Sequence, residues 1–320
     1  MTENKLMKEQ EFYSFVKANL KNYLPESLED GAVELRDYRK NNDVLLKSLT
    51  ITKGGEHIVP NLYLNGFYED YMDGTLIGDV MYSIGDEYER ACQVERPNPE
   101  NMDFSFGAIK DNFVYQIVEI DRNRDRLKDL AFEPIGNGLA KTYALRMPNM
   151  EGESRIVCSL AFISSNEWTM DMMKEAAEIN TPKIMKPTLI DMEASIFGVG
   201  ADVNLLENPQ DAREPSMYIL TNDKFTQGSA SLFYPDVQSK VAEVVGGDYF
   251  ALPSSIHEFI ILPDDGEHSV KDLGNMVKDA NATVVEPQDI LSDKVYHFDA
   301  ERGELSIARG DKEKSREEAR

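Results

Sequence analysis

Long apolar runs are missing from this chain. Even the longest uninterrupted ones, such as Leu160–Ile163 and Phe259–Leu262, are short, whereas a helix that spans a membrane needs about 20 apolar residues. The first residues, MTENKLMKEQEF, also lack the apolar core of a secretory signal peptide. We therefore predict a cytoplasmic protein with no membrane partner.

Cysteine is scarce. Only Cys92 and Cys158 occur among the 320 residues, which is too few for the disulfide framework of a small secreted protein. Cys158 lies in the apolar stretch IVCSLAFI, where a cysteine usually behaves as a small buried hydrophobic residue. We expect both side chains to remain thiols, in agreement with a reducing cytoplasm.

Positive charge is outweighed by negative charge. The chain has 34 lysines and arginines against 58 aspartates and glutamates, a net charge of −24. Nucleic-acid binding depends on cations that neutralise phosphates, so we predict no nucleic-acid partner. The same negative charge leaves open the hypothesis that the protein is an acidic decoy, which would imitate nucleic acid by presenting carboxylates to a nucleic-acid enzyme.

Metal and cofactor motifs are absent. The four histidines have no helical spacing: His57, His257, His268 and His297. His257-Glu258 begins like a zinc-protease motif, but the second histidine of that motif would fall on Ile261. The sequence has no GxxxxGK phosphate loop and no GxSxG nucleophile elbow. We predict no metal site and no cofactor.

The patterns that are present indicate a folded domain of mixed class. Apolar residues at 41% and charged residues at 29% are typical of soluble globular proteins. Apolar positions at helical spacing predict helices at 8–24, 75–93, 169–180, 188–197, 229–245 and 269–280. Stretches of β-like pattern lie between them, including 155–163. We predict an α+β fold with largely antiparallel sheets, flanking helices and possible division into two lobes.

One segment resembles a linker. Residues 206–216, LENPQDAREPS, contain two prolines and four charged side chains. Proline and charge in a stretch with few apolar residues are typical of connections between domains. We expect an N-terminal lobe at 1–205, a C-terminal lobe at 217–309 and a disordered charged tail at 310–320.

The densest polar cluster next to apolar sequence lies within 252–263, LPSSIHEFIILP. Polar groups beside a buried strand must find partners or face water. Ser254, Ser255, His257 and Glu258 are therefore candidate binding residues. In an extended strand Ser255 and His257 share a face but lie too far apart for a nucleophile–base pair. The alternative is that these residues only build a turn.

Asn222 is added to this candidate site by topology. The strand at 217–221 ends there, and the strand at 249–252 ends at Pro253. If the helix at 229–245 is a crossover, the two strands are parallel and end at the same edge of the sheet, where open sheets bind ligands. Antiparallel pairing would instead place Asn222 at the opposite edge.

Several segments together resemble a known family. The clearest are PNLYLNGFYEDYMDG (60–74), NEWTMDMMKEAAEINTP (166–182), DYFALPSSIHEFIILPDD (248–265) and LSDKVYHFD (291–299). They are similar to the family catalogued as domain of unknown function 5688, found in Clostridia and related Firmicutes, over roughly residues 8–300. The resemblance implies a bacterial intracellular protein of one evolutionary unit. It brings no activity and no catalytic residues.

The sequence leaves three functional hypotheses. The favoured one is a non-enzymatic module that binds a protein or a small molecule. The first alternative is a hydrolase with its site around 252–263. The second is the acidic decoy of a nucleic-acid enzyme.

Overall fold

A computed structural model describes residues 6–54, 59–94, 102–147, 155–197, 203–212 and 217–310. The α-helices of these residues are α1 Glu9–Asn19, α2 Asn65–Met72, α3 Ile77–Gln93, α4 Phe106–Ile109, α5 Leu160–Ser165, α6 Met170–Ile184, α7 Met192–Phe197, α8 Val237–Val245 and α9 Val270–Thr283. Short 3₁₀ turns join several of them. None of the described helices has the length and apolar character that a membrane crossing requires.

The strands form three sheets. They are β1 Ala32–Arg39, β2 Leu45–Thr52, β3 Leu62–Tyr63, β4 Phe113–Glu119, β5 Phe132–Gly136, β6 Leu139–Arg146, β7 Arg155–Val157, β8 Pro187–Asp191, β9 Tyr218–Asn222, β10 Tyr249–Ser255, β11 Glu258–Pro263, β12 Tyr296–Asp299 and β13 Glu304–Ile307. The first sheet has the order β1-β2-β3, and the second has β4-β6-β5 with β7 also paired to β6. The third has the order β13-β12-β10-β11-β9-β8. The paired strands run antiparallel, which confirms the predicted α+β class.

The chain divides into two compact units. Unit 1 contains α1–α3 and β1–β3, and unit 2 contains the remaining elements together with Asn41–Asp43. In unit 1, helix side chains such as Phe12 and Ile84 pack with Leu49 of β2 in one core. The hydroxyl of Tyr88 accepts a hydrogen bond from the Ile51 amide at 2.7 Å. Burial of these side chains therefore holds the helices on one face of the sheet.

The six-stranded sheet organises unit 2. Helix α9 covers one face, where Leu273 and Val277 pack with Phe250, Leu252 and neighbouring apolar residues. The opposite face carries stacked and edge-on aromatic rings: Tyr249 with Phe298, Phe259 with Tyr296, and Phe259 with Phe233. Both faces of the central strands β10 and β11 are thus largely buried, whereas the edge strand β13 is partly exposed.

Two predicted elements are wrong. The strand predicted at 155–163 ends at Val157, and α5 follows because the Ser159 hydroxyl accepts a hydrogen bond from the Phe162 amide at 3.1 Å and caps the helix. The helix predicted at 188–197 is strand β8 followed by α7. Short apolar runs have no clear period, so helix and strand are hard to distinguish there.

The predicted helix at 229–245 is also divided. A 3₁₀ turn covers Gly228–Phe233, and α8 begins only at Val237. Pro235 lies between them, and Asp236 has a left-handed backbone with φ of +63°. Both features interrupt a regular helix.

The compact units do not follow the predicted division at 206–216. Residues 206–212 lie between β8 and β9, which are hydrogen-bonded neighbours in one sheet. A connection between paired strands joins parts of one layer, so proline and charge mark a loop here. Residues 213–216 and the tail from 311 onward lie outside the described residues.

Candidate functional site

Strands β9 and β10 bring the sequence candidates to one edge of the six-stranded sheet. Each strand pairs antiparallel with β11, which lies between them. β9 and β10 therefore point in the same direction and both end at this edge. Asn222 ends β9, and Ser255 ends β10. β9 and β10 do not pair with each other, because β11 lies between them and is antiparallel to both. Asn222 is therefore not at the opposite edge from the hairpin turn.

Asn222 closes the loop that follows β9. Its side chain is fully buried. The Oδ1 atom accepts from the Lys224 amide at 2.9 Å, and Nδ2 donates to the Thr226 carbonyl oxygen at 2.8 Å. The Phe225 amide also donates to the Asn222 carbonyl oxygen at 3.0 Å. We call residues 222–228 the Phe225 loop, and one asparagine fixes most of its backbone.

The hairpin turn between β10 and β11, residues 254–258, holds this loop from the other side. The Nδ1 atom of His257 accepts from the Gln227 amide at 3.1 Å. The carbonyl oxygen of His257 accepts from the Thr221 hydroxyl at 2.8 Å. Since Nδ1 is an acceptor here, the ring proton lies on Nε2, which faces Asp289 Oδ1 at 3.7 Å. His257 therefore joins the loop to the turn.

The two serines stabilise the turn itself. The Ser255 hydroxyl accepts from the His257 amide at 3.0 Å. The Ser254 hydroxyl donates to Glu258 Oε1 at 3.0 Å. Both are local contacts of the kind that serine makes in turns. Neither hydroxyl is bonded to the His257 ring, so the geometry gives the hydrolase hypothesis no nucleophile–base pair from these residues.

Gly228 marks the closest approach of the loop to the turn. A Cβ atom at this position would overlap the Thr221 hydroxyl and the His257 carbonyl oxygen. Glycine is therefore required by packing against fixed atoms. The loop and the hairpin turn form one closely packed structure.

Phe225 is the residue of this loop that sequence reasoning missed. Its φ is +53°, in the left-handed region, which is unusual for a bulky side chain. Its ring is nevertheless 64% exposed. No periodic pattern in NDKFTQG indicates a positive φ at this phenylalanine. A strand followed by Asn-Asp, itself a turn signal, is the one available clue.

The surroundings of the Phe225 loop are more acidic than basic. Asp223 and Lys224 form an ion pair at 3.4 Å. Glu258 belongs to the hairpin turn, and Asp289 faces His257. Burial, with a smaller contribution from Asp223, raises the pKa of the nearby Tyr234 above its usual range. Tyr234 is therefore a neutral phenol at physiological pH.

Positive charge in the short basic stretch of unit 2 is neutralised locally. In the stretch 122–128, Arg122 pairs with Glu119 at 3.1 Å and with Asp293. Arg124 pairs with Asp121 at 2.7 Å, and Lys128 pairs with Asp125 at 2.5 Å. This stretch presents little uncompensated positive charge to a phosphate backbone. Among the described residues, no group of three or more His, Cys, Asp or Glu side chains is arranged to hold a metal ion.

Comparison with models of protein families assigns the chain to a family. The model of a family of unknown function, DUF5688, matches residues 9–300. The chain belongs to this family. Comparisons with curated proteins and with solved structures find no significant match. The matched range includes the residues of the Phe225 loop and of the hairpin turn.

Proposed function

We propose that this protein is a non-enzymatic module that binds a partner protein, with Phe225 as the central contact. The observation that carries the proposal is an exposed aromatic ring on a strained and braced backbone. The sequence candidates Asn222, Ser255 and His257 then act as supports of the binding loop. A cytoplasmic location is part of the proposal.

The backbone at Phe225 has an energetic cost. A left-handed conformation destabilises an L-residue by about 1–2 kcal/mol. Burial of the ring would offset this cost, but the ring is mostly in water. Strain that persists without local compensation is typical of functional sites. We expect the ring to become buried in a pocket of the partner, and this burial to offset the cost of the strained backbone when the complex forms.

The bracing of the loop favours binding. Its backbone is held by Asn222 and by the ring of His257. A loop that is already ordered loses less conformational entropy when it binds. A phenylalanine also loses few rotatable bonds, and buried aromatic residues are frequent anchors at protein interfaces. Order and aromatic character together make Phe225 suitable for this role.

The charges around the loop indicate the partner. Asp223, Glu258 and Asp289 outnumber Lys224, and the whole chain has a net charge of −24. Electrostatic complementarity at the rim of an interface accelerates association and excludes partners of like charge. We expect the partner to offer an apolar pocket for the ring with lysine or arginine at its rim.

Photo-crosslinking tests the proposal. Benzoylphenylalanine is placed at position 225 in one strain of the source organism and at position 197 in another. Phe197 is a matched control because it is 76% exposed in the same unit. Phe197 is the last residue of α7, which follows the Asp191 end of β8, whereas the Pro187 end of β8 pairs with Asn222. We expect one discrete crosslinked protein from position 225. Equal products from both positions would contradict the proposal.

A further inference from the structure

The ring of His257 lies between two partners of different kinds. On one side, Nδ1 accepts a hydrogen bond from the Gln227 amide at 3.1 Å. On the other side, Nε2 faces Asp289 Oδ1 at 3.7 Å. The amide is a donor and requires a ring nitrogen without a proton, whereas the carboxylate attracts a charged ring. The two partners therefore favour different protonation states of one side chain.

The neutral ring fits the observed geometry. Its contact with Asp289, at 3.7 Å, is longer than an ordinary hydrogen bond, so the carboxylate holds the neutral ring only weakly. A protonated ring carries a hydrogen on both nitrogens. The hydrogen on Nδ1 would then point at the hydrogen of the Gln227 amide, and this bond would break. Attraction between the charged ring and Asp289 would increase at the same time.

Acidic groups predominate around the ring. Asp289 faces it from the segment before β12. Glu258 follows His257 in the hairpin turn and accepts a hydrogen bond from a serine of that turn. On the side of the Phe225 loop, Asp223 and Lys224 form an ion pair with each other at 3.4 Å. This excess of negative charge favours the protonated ring, and the hydrogen bond from the loop amide opposes it.

Protons from solvent can reach the ring, whereas water does not readily reach the amide. The side chain of His257 is 35% exposed, so it can take up a proton without unfolding. Gln227 is buried. Protonation therefore removes the acceptor of a buried amide, which costs free energy until the loop moves and the amide finds water.

We propose that His257 is a proton-operated latch of the Phe225 loop: the neutral ring holds the loop on the hairpin turn, and protonation releases it. Release weakens partner binding at Phe225, because a loop that is not already ordered loses more conformational entropy in the complex. The effect on binding rests on the proposed function. The latch itself is a property of the free protein.

The latch controls one end of the loop. The other end is held by Asn222, whose side chain bonds to the backbone of Lys224 and Thr226 and does not depend on the histidine. Protonation thus frees the segment at Gln227 while the turn after β9 remains. Phe225 lies between the two ends, so its ring loses one of the two supports of its position.

The latch is closed at high pH and opens as pH falls. The closed state has no proton on Nδ1, so it is favoured while the ring is neutral and loses this advantage as the ring takes up a proton. Histidine ordinarily changes its charge between about pH 5 and about pH 8. Acidification within this range therefore opens the latch.

Nuclear magnetic resonance of the free, full-length chain tests the latch. With isotope-labelled glutamine, hydrogen exchange of the Gln227 amide is measured at about pH 7.5 and about pH 5.5. Each rate is compared with that of an unstructured amide at the same pH. We expect protection of the Gln227 amide to fall at least about tenfold at the lower pH. Gln116, inside β4, is the internal control and should show no such fall.

Three variants separate the contributions. His257→Asn keeps an acceptor for the Gln227 amide but takes up no proton in this range, so we expect equal protection at both pH values. Asp289→Asn removes the carboxylate that favours the charged ring, so the fall in protection should shift to lower pH. Glu286→Gln, at an exposed position of the same segment, is the matched control and should leave the midpoint unchanged.

Two results would overturn the latch. One is protection of the Gln227 amide that does not change with pH in the wild type. The other is a fall of the same size in His257→Asn, since another group would then be responsible. If His257→Asn does not fold, the comparison of Asp289→Asn with Glu286→Gln still decides, because equal midpoints contradict the proposal.

Crosslinking in a lysate of the source organism tests the effect on binding. The chain with benzoylphenylalanine at position 225 is irradiated at both pH values, with and without His257→Asn. We expect the crosslinked product to fall roughly fivefold or more at the lower pH, and to stay constant in the variant. Equal loss in both proteins would overturn regulation by the latch. No crosslink at either pH would contradict the proposed function instead, and amide exchange would still decide the latch.

Discussion

The ring of His257 accepts a hydrogen bond from the Gln227 amide through Nδ1, at 3.1 Å. Gln227 is buried and has a left-handed backbone with φ of +51°, so its amide has no ready access to water. An amide buried without an acceptor costs about 1–3 kcal/mol. This bond makes a histidine of the hairpin turn responsible for the geometry of the Phe225 loop.

We therefore expect His257→Ala to lower the free energy of unfolding by about 1–3 kcal/mol and to weaken partner binding. His257→Asn should restore most of the stability and most of the partner binding, because Oδ1 of the asparagine can accept the Gln227 amide in place of Nδ1 of the histidine. Urea unfolding monitored by circular dichroism measures the first effect. His268→Ala, at an exposed position, should change neither. A normal stability for His257→Ala would show that the bond does not hold the loop.

A second prediction concerns Gly228. A Cβ at this position overlaps backbone and hydroxyl atoms of the turn, so Gly228→Ala must displace the loop from His257. Overpacking of this kind costs about 1–3 kcal/mol, and we expect that loss in urea unfolding.

Gly78→Ala is the matched control for Gly228→Ala. Nothing lies within 4 Å of the Cβ that this change adds to α3, and alanine favours a helix by about 0.5–1 kcal/mol. Equal effects of the two alanines would contradict the close packing between loop and turn.

The strain at Phe225 gives a third prediction. Phe225→Asn replaces the residue by one that tolerates a positive φ. We expect the melting temperature to stay equal or to rise, while partner binding is lost. Calorimetry measures the melting temperature. A clear fall would show that the exposed ring stabilises the free protein, and would contradict the view that the strain at Phe225 is offset only in the complex.

Cys158 gives a prediction about pH. Burial raises the pKa of its thiol to about 12, whereas the thiol of an unfolded chain has a pKa of about 8.5. The folded state thus holds the proton more tightly, so this thiol stabilises the fold below about pH 8.5 and loses that contribution as pH rises. We expect Cys158 to resist iodoacetamide at pH 8 until denaturant is added, as peptide mass spectrometry would show. Rapid alkylation in the native state would contradict its burial.

Regular periodicity explains what the sequence predicts well. The helices α3 and α9 are close to the predicted ranges because their apolar residues repeat along one face. The predicted strands at 217–221 and 249–252 also match β9 and β10, and the helix predicted at 229–245 is interrupted at Pro235. Periodicity is weaker in 155–163 and 188–197, where a single serine cap or a short buried run decides between helix and strand.

At the candidate site, prediction from the sequence is limited in a different way. The direction of β9 and β10 follows from topology, so sequence reasoning places Asn222 near His257. It does not identify β11 as the strand between them. Phe225 is missed because its importance lies in a backbone angle, and a phenylalanine in a polar segment does not indicate a positive φ.

The most direct test of Phe225 as a binding anchor is an affinity measurement. The partner identified by crosslinking is purified and titrated by calorimetry with the wild type, Phe225→Ala and Phe197→Ala. A central aromatic contact contributes about 2 kcal/mol or more, so we expect Phe225→Ala to weaken binding roughly 30-fold or more while Phe197→Ala leaves it unchanged. Equal dissociation constants for all three proteins would contradict the role of Phe225.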